Sequence, residues 1–351
     1  IFGISSFAMA IPSSESITFG ASPSPPNHTI FNERPESQDR ALKVIERLGY
    51  TIIPRSEAEQ KRGSRKAVLF TGELQAFLSK QTYQFGSERR FFSGGSIAKA
   101  IQVVDQYSAA GLYASNKEIY ELLCSGKSME EDLPDGTRQS FDISYIDFEH
   151  SENNTFQVTD EFEVERPNGK FARPDIVVLV NGIPLVVIEC KKSGVDVMEG
   201  VTQNIRNWGE EYIPHLFRYT QLVMAVNPDK VLYGTCGTPA KYFVSWHEDD
   251  KEWLNNWCRK CSPDGQIKEQ DRALVSLLHP ERLLDLIRNF IIYDNNVKKI
   301  CRYKQYFAVK KCMDRILMRD NANTRNGVVW QDRKSTRLNS SHEWISRMPS
   351  S

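Results

Sequence analysis

Residues 171–192, FARPDIVVLVNGIPLVVIECKK, form the stretch that decides how this chain folds. Two apolar runs rich in β-branched residues, Ile176–Val180 and Ile183–Ile188, lie on either side of Asn181-Gly182. β-Branched residues favour strands, and Asn-Gly is typical of tight hairpin turns because both residues tolerate a positive φ. The stretch therefore predicts a buried β-hairpin.

Three charged residues interrupt this apolar pattern. Asp175 precedes the first strand, and Glu189 and Lys191 end the second strand, where their spacing of two puts them on one face. Buried charge is costly unless it is paired or bound to a metal. Two carboxylates suit a hard cation such as Mg²⁺, and a nearby lysine can orient or deprotonate an attacking water. The pattern predicts a Mg²⁺-dependent phosphodiesterase site; the alternative is a Glu-x-Lys strand end that only aids solubility.

The hairpin needs one irregularity if Asp175 and Glu189 are to bind the same metal. A strict two-residue turn places Val180 opposite Ile183, and therefore Asp175 opposite Ile188. Cross-strand partners share a face of the sheet, so the two carboxylates would then lie on opposite faces. We therefore predict either a three-residue turn or a β-bulge within one of the strands.

The segment RPDIVVLVNGIPLVVIECKK resembles the D…ExK signature of the PD-(D/E)xK nuclease superfamily. It is similar, more narrowly, to the N-terminal nuclease region of the restriction (R) subunit of type I restriction-modification enzymes. Further similar pieces are SNKEIYELLCSG, SYIDFEH, NTFQVTDEFEVER, YIPHLFRYTQLVMAVNPDKVLYGT and HPERLLDLIRNFIIYD. The resemblance covers roughly Phe31 to Trp330. It implies an α/β fold, with a central mixed sheet flanked by helices and then the helical start of a truncated motor domain.

The resemblance also implies roles for particular residues. Asp175 and Glu189 match the metal ligands of the family, and Lys191 matches its water-handling lysine. Gln203 matches the first residue of the family's QxxxY motif, which helps to position DNA or a catalytic group. The tyrosine position of that motif is Asn207 in this chain. Asn207 follows Gln203 by four residues, so the two can still act as a pair on one helix face.

Two weaker assignments follow from the same resemblance. Nucleases of this superfamily often carry an acid near the metal on an early helix, and Glu33 and Glu36 are candidates for it. Gln38 occupies the place where related proteins hold the acid. Acids at a helix N-terminus are also favoured by the helix dipole alone. Gln305, within CRYKQYFAVKK, is expected near the adenine of ATP, like the Q motif of helicases.

The implied cofactors are Mg²⁺ and, for the full-length family, ATP. The implied partners are double-stranded DNA and the methyltransferase (M) and specificity (S) subunits of a type I complex. The printed sequence contains no G-x-x-x-x-G-K-[ST] phosphate loop, so we expect a fragment that lacks the translocating motor. The alternative function is a non-catalytic assembly module that docks on the methyltransferase and specificity subunits.

Composition indicates an ordinary globular protein. The 351 residues carry 45 basic and 45 acidic side chains, and a net charge of zero argues against strong non-specific DNA binding without excluding a local basic groove. No apolar run approaches the length of a membrane span. Seven scattered cysteines indicate reduced thiols and a cytoplasmic location. The pair Cys258 and Cys261 lacks the second pair of ligands that zinc requires.

Composition predicts a flexible Ser/Pro-rich lead-in (1–30). The resemblance implies a restriction endonuclease domain (31–250), a linker with the start of a truncated motor (251–331) and, where the similarity ends, a non-native tail (332–351). Periodicity predicts helices over Asn32–Leu48, most of Ala67–Gly111, Asn116–Gly126, Met198–Glu211, Arg272–Phe290 and Ile300–Met318. The predicted strands outside the hairpin are Ser140–His150, Phe156–Glu165, Tyr219–Val226, Val231–Thr235, Tyr242–Trp246 and Asn326–Trp330.

Overall fold

Short strands and helices alternate along the chain. The computed structural model describes residues 36–106 and 111–317. The helices in these ranges are α1 (Glu36–Arg47), α2 (Arg55–Arg62), α3 (Thr71–Leu78), α4 (Gly94–Asp105), α5 (Leu112–Ser125), α6 (Val197–Asn207), α7 (Pro214–Phe217), α8 (Lys251–Cys261), α9 (Glu269–Leu278), α10 (Pro280–Asn289) and α11 (Tyr303–Leu317). The strands are β1 (Thr51–Ile52), β2 (Thr82–Phe85), β3 (Glu88–Phe91), β4 (Lys127–Asp132), β5 (Arg138–Ile143), β6 (Phe156–Asp160), β7 (Val164–Glu165), β8 (Phe171–Ala172), β9 (Ile176–Val180), β10 (Ile183–Cys190), β11 (Leu222–Asn227), β12 (Lys230–Gly234), β13 (Ile291–Asp294) and β14 (Val297–Ile300).

A six-stranded mixed sheet forms the centre of the described fold, in the order β1-β6-β9-β10-β11-β12. β1 runs parallel to β6, and β10 runs parallel to β11. The pairs β6–β9, β9–β10 and β11–β12 are antiparallel. Helix α6 connects the parallel strands β10 and β11 and packs on both. The predicted fold class, a central mixed sheet flanked by helices, is therefore confirmed.

The predicted hairpin is β9–β10, and every residue of both strands is buried. Pro184 pairs with Leu179, but the next pair is Val186 with Val178, so Leu185 is an extra residue in β10. This β-bulge confirms one of the two irregularities that the sequence predicts. It shifts every later residue of β10 by one position relative to β9, which reverses the face on which each side chain lies.

The Asn181-Gly182 turn is buried under neighbouring chain. Both residues have positive φ, 51° and 79°, as a tight hairpin turn requires. The Asn181 amide donates to Tyr145 O at 3.0 Å, and its Oδ1 accepts the Thr155 N–H at 2.8 Å. A Cβ on Gly182 would clash with the carbonyl oxygen of Phe70. Only glycine therefore fits here, both for its φ and for the close approach of the chain.

The helices beyond residue 250 pack on the first helix of the described fold. α8 and α9 contact α1, and α9 also contacts β12. The buried Arg40 guanidinium on α1 donates to Asp271 on α9 and to Asp264 in the preceding loop. The proposed boundary between an endonuclease part and a motor part at residue 250 stays a prediction, but the two sides are joined by this buried contact.

Several predicted elements differ from the structure. The stretch Ala67–Gly111 is not mostly helical, because the β2–β3 hairpin lies between α3 and α4. Tyr242–Trp246 is not a strand, and contributes only an isolated bridge between Val244 and Tyr233. Helix Arg272–Phe290 is broken at His279, because Pro280 has no N–H to continue a helix and instead begins α10.

Other expectations agree with the structure or lie outside it. The predicted helices Asn116–Gly126 and Met198–Glu211 correspond to α5 and α6, and Tyr219–Val226 corresponds to β11. The segment Ile291–Ile300 forms the β13–β14 hairpin, which the sequence analysis missed. The lead-in at 1–30, the predicted helix start at Asn32, Glu33, the strand Asn326–Trp330 and the tail at 332–351 lie outside the described residues.

In the two described ranges, no helix combines the length and hydropathy that crossing a bilayer requires.

The β13–β14 hairpin brings a buried lysine against the body of the fold. Lys298 is 5% exposed, and its ammonium donates to Asn116 Oδ1 at 2.9 Å and to Gln221 Oε1. The rings of Tyr120 and Tyr293 lie 5.6 and 5.8 Å from the ammonium. Burial lowers the pKa of Lys298 to about 7.

Replacing Lys298 with methionine should change how stability depends on pH. The pKa of Lys298 is lower in the folded state than in the unfolded state, so the unfolded chain binds more protons between pH 7 and 10.5. The lysine therefore favours folding increasingly as pH rises through this window. The unfolding free energy of the wild type minus that of Lys298→Met should therefore increase by roughly 2 kcal/mol when the pH is raised from 7.5 to 9.5.

Urea unfolding of both proteins at these two pH values measures this change. The thiols of Cys124 and Cys236 face Lys298 and have pKa values raised by burial, but they are present in both proteins and largely cancel in the difference. A difference that does not vary with pH would show that the ammonium is as well stabilised inside the fold as in water.

Candidate active site

Asp175 and Glu189 meet at one end of the β9–β10 hairpin. Ile176 pairs with Ile188, so the bulge places Asp175 across from Glu189 rather than from Ile188. The two carboxyl groups are close enough for the charge of Asp175 to raise the pKa of Glu189. The Cys190 N–H donates to Asp175 Oδ2 at 2.7 Å. The structure therefore brings together the two carboxylates singled out in the sequence.

Glu189 is completely buried, and its two oxygens have different surroundings. Oε1 accepts the Asn207 side-chain amide at 3.0 Å, whereas Oε2 is buried without a hydrogen-bond partner. An unsatisfied buried carboxylate oxygen is costly, and such groups in native proteins call for an explanation such as a bound ion. Burial, and then the charge of Asp175, raise the pKa of Glu189 well above its usual value.

Asp175 has a raised pKa for the same principal reason, which is burial. The Cys190 N–H and the Lys191 charge act in the opposite direction but do not overcome burial. Burial therefore disfavours the ionised form of both carboxyl groups. If both were ionised, their negative charges would also repel each other. A divalent cation between them would remove that repulsion and favour the ionised form of both.

Lys191 is held in place by its backbone and by its ammonium. Its N–H donates to Val226 O at 2.7 Å, and its carbonyl oxygen accepts the Ser37 hydroxyl at 2.7 Å. Its ammonium donates to Gln203 Oε1 on α6 at 2.5 Å. Gln203 and Asn207 are one helical turn apart, and they contact Lys191 and Glu189 respectively. Gln203 and Asn207 therefore reach the site from one face of α6, as their spacing predicts, and their joint role stays a prediction.

Helix α6 comes unusually close to the end of β10. A Cβ added to Gly200 would lie 3.1 Å from Ala225 Cβ and 3.5 Å from Glu189 Cβ. A glycine on the inner face of α6 therefore lets the helix approach until its amide side chains reach the carboxylate and the ammonium. The sequence contains this glycine, but its purpose is visible only once the strand packed beneath it is known.

Helix α1 supplies two contacts that the sequence analysis did not assign. The Ser37 hydroxyl binds the Lys191 carbonyl, and the buried Gln38 amide donates to Asp175 O at 3.1 Å. Glu36, by contrast, is exposed and pairs with Lys268 at 3.4 Å. The early helix therefore reaches the site with neutral amide and hydroxyl groups. A sequence signal existed in the polar residues Ser37 and Gln38, which lie on the helix face directed toward the core.

The described residues contain no group of three or more His, Cys, Asp or Glu side chains arranged to hold a metal ion. The acidic ligands here are the pair Asp175 and Glu189, each with one oxygen bound by an N–H donor. Oδ1 of Asp175 and Oε2 of Glu189 are the oxygens left for a cation.

Gln305 lies far along the chain from this site, at the start of α11. Its exposed side chain accepts the Arg302 N–H at 2.9 Å. Its predicted place near an adenine stays a prediction. His215, by contrast, is half-buried, and burial lowers its pKa to about 4, so it is neutral at physiological pH.

Replacing Asn207 with leucine should weaken metal binding by about 10- to 100-fold, as is usual when a group that orients a metal ligand is removed. The substitution leaves Glu189 Oε1 buried without its donor, which disfavours the ionised carboxylate that a cation needs. Calorimetric titration with Mn²⁺ measures the affinity. Thr202→Val, an exposed change on the same helix, is the matched control. Equal Mn²⁺ affinities in the two variants would mean that Asn207 does not orient the carboxylate.

Comparison with known proteins gives one family match. A family model described as "Type I restriction enzyme R protein N terminus" matches residues 30–242. Among curated proteins, the chain is 26% identical over 321 residues to the type I restriction enzyme HindI endonuclease subunit of Haemophilus influenzae. It is 31% identical over 322 residues to the putative type I restriction enzyme MjaIXP endonuclease subunit of Methanocaldococcus jannaschii.

These two alignments cover most of this chain but a minor part of each relative. They span 87% and 86% of the chain, and 29% and 30% of the respective relatives. A type I restriction enzyme endonuclease subunit of Staphylococcus aureus is 27% identical over 194 residues, which are 54% of this chain and 19% of that protein. The chain therefore spans less than a third of the length of the curated relatives it matches.

Proposed function

This chain belongs to the family of type I restriction enzyme R proteins, as their N-terminal region, and from that premise we propose that it is a Mg²⁺-dependent endonuclease that hydrolyses DNA phosphodiester bonds. The observation that carries the proposal is the pair of facing residues Asp175 and Glu189, with one Glu189 oxygen, Oε2, buried without a partner and the charge of Lys191 acting on both carboxyl groups. The residues fit the function that their family implies.

The donor set fits one hard divalent cation. Asp175 and Glu189 would hold it through one oxygen each, because N–H groups of Cys190 and Asn207 occupy the other two oxygens. Carboxylate oxygens are the ligands that Mg²⁺ prefers, with water completing its shell. When bound, Mg²⁺ polarises the scissile phosphate and lowers the pKa of a bound water. With two acidic ligands, the site suits a single ion.

The chain's own residues would prepare the attacking water and the phosphate. Lys191, fixed by Gln203, places a positive charge where the attacking water and the negative phosphate meet. An ammonium so placed can orient the water and offset the negative charge that develops on it and on the phosphate. Gln203 acts through Lys191, and Asn207 acts through Glu189, so both are positioning residues.

We extend the proposal to the partners that the family implies. The substrate would be double-stranded DNA, and the chain would work in a complex with methyltransferase and specificity subunits that supply sequence recognition. ATP would be used only where a phosphate loop is present, and the printed sequence has none. The adenine contact of Gln305 and a cytoplasmic location are part of the same proposal.

Plasmid cleavage by the full 351-residue chain with Mg²⁺ or Mn²⁺ tests the proposal, beside Asp175→Ala as the control. We expect nicking or linearisation by the wild type and none by the variant. Calorimetric titration with Mn²⁺ separates an endonuclease from a non-catalytic assembly module, because a docking module has no need to bind a cation through Asp175 and Glu189. A chain that binds no Mn²⁺ and cuts no plasmid would contradict the proposed function.

A further inference from the structure

Two arginines share one tyrosine ring beside the candidate active site. Arg166 lies in the turn between β7 and β8, Arg206 lies on α6, and Tyr212 follows α6. The guanidinium carbons of Arg166 and Arg206 are 3.9 and 5.3 Å from the Tyr212 ring centroid. The Arg166 Nε also donates to the backbone oxygen of Glu211 at 3.2 Å. Both positive charges are therefore held against the same ring, and Arg166 is fixed further by a backbone contact.

Neither arginine has a carboxylate partner among the ion pairs of the described residues, whereas nearby arginines do. Arg65 and Arg55 both bind Glu163, at 2.8 and 2.5 Å, and Arg173 binds Glu161 at 3.2 Å. Arg206 is exposed. Like charges held near each other without a counter-ion repel. The chain thus pairs those guanidinium groups with carboxylates but gives this pair no salt bridge among the described residues, although the charge of Arg206 opposes the rise in the pKa of the buried Glu189.

Each of the two arginines is close in sequence to a residue of the candidate active site. The residue after Arg206 is Asn207, which binds Glu189, and Gln203 lies one turn before it on α6. Strand β8, which follows the turn that carries Arg166, ends three residues before Asp175. An anion bound by the two arginines would therefore lie at the edge of the surface on which the carboxylates and Lys191 act.

We propose that Arg166 and Arg206, aligned on Tyr212, form a clamp for a DNA backbone phosphate next to the phosphate that is cleaved. The clamp rests on the proposed function, because it names how the substrate of that site is held. Guanidinium groups match phosphate geometry and bind it through paired hydrogen bonds. A phosphate also removes the repulsion between the two arginines. Such a contact reads no base, so it positions DNA of any sequence.

A purely structural latch is the competing explanation. In that case Arg166 and Arg206 would only fasten the β7–β8 turn to the end of α6, and the exposed carboxylates of Glu210 and Glu211 would balance their charge across solvent. The two explanations differ in what a change of charge does. A latch affects stability, whereas a phosphate clamp affects DNA affinity and its dependence on salt.

Fluorescence anisotropy of a short labelled DNA duplex measures affinity at several salt concentrations. All proteins are the full chain and carry Lys191→Ala, so that binding is measured without hydrolysis and does not depend on the proposed chemistry. Arg166→Gln and Arg206→Gln are compared with Arg138→Gln, an exposed arginine on β5 that pairs with Asp132. Arg206→Lys keeps the charge but loses the planar stack.

We expect each Arg→Gln change to weaken duplex binding by about 3- to 10-fold and to reduce the slope of log affinity against log salt by about 1. Arg206→Lys should keep the salt slope, because the charge remains, but should lose part of the affinity, because an ammonium cannot make the paired hydrogen bonds of a guanidinium. Thermal unfolding should be unchanged. Affinity and salt slope equal to those of Arg138→Gln would overturn the clamp. An equal loss in Arg206→Lys and Arg206→Gln, with a lowered melting temperature, would show a latch instead. The proposed nuclease function is tested independently of the clamp, by the plasmid cleavage experiment, and is contradicted if the wild type does not cut plasmid DNA.

Discussion

Replacing Lys191 with alanine should lower the rate of Mg²⁺-dependent DNA cleavage by about 10²- to 10³-fold, the usual loss when one group that stabilises developing charge is removed. The Lys191 ammonium is the positive charge that Gln203 fixes beside the two facing carboxylates. Its loss removes the group that orients the attacking water and leaves the negative charge of the phosphate without this partner. Single-turnover cleavage of a labelled duplex measures the rate of the chemical step directly.

Lys192→Ala is the matched control, because it removes an exposed lysine from the adjacent position. Mn²⁺ should still bind Lys191→Ala, since both carboxylates remain, and the melting temperature should stay close to that of the wild type. Cleavage that survives in Lys191→Ala at the rate of Lys192→Ala would show that the site has been assigned to the wrong lysine.

Replacing Arg40 with methionine should destabilise the fold by about 3–5 kcal/mol, the usual result of removing one partner of a buried ion pair. The guanidinium is 7% exposed, and Asp271 is completely buried. Two hydrogen bonds of 2.8 and 2.6 Å join them, and Asp264 accepts two more at 2.8 and 3.1 Å. Without Arg40, the Asp271 carboxylate keeps its contacts with the Ser262 hydroxyl and the Lys268 N–H but loses its cation.

Chemical denaturation of the wild type and the variant measures the difference in unfolding free energy. Arg138→Met is the control, because its exposed pair with Asp132 should contribute less than about 1 kcal/mol. The double variant Arg40→Met/Asp271→Leu should recover much of the loss, since no buried charge is then left unpaired. If Arg40→Met costs no more than Arg138→Met, the charge of Asp271 must be stabilised by other groups.

The hairpin and its charged ends could be predicted from the sequence because both follow local rules. Asn181-Gly182 needs only its own preference for positive φ, and alternation shows that Asp175 and Glu189 require a bulge to meet. The position of that bulge, at Leu185, could not be predicted, since every residue of β10 is apolar up to Ile188 and any of them could be the extra one.

The contacts that complete the site depend on elements distant in sequence. Ser37 and Gln38 bind backbone oxygens of Lys191 and Asp175, and backbone oxygens have no sequence signature. The sequence showed only that Asn207 stands where the family has a tyrosine. Its hydrogen bond to Glu189 depends on how closely α6 approaches β10 at Gly200. Such long-range contacts are set by packing, which local periodicity does not encode.

The extra residue at Leu185 limits how this hairpin can change in length. Inserting or deleting one residue between Asp175 and Glu189 would turn one carboxylate to the other side of the sheet, whereas a change of two would restore the original arrangement. The two acids therefore face the same side of the sheet only if the number of residues between them changes by an even number. Viable hairpins of other lengths should differ from this one by even numbers of residues, or carry a second bulge that cancels the shift.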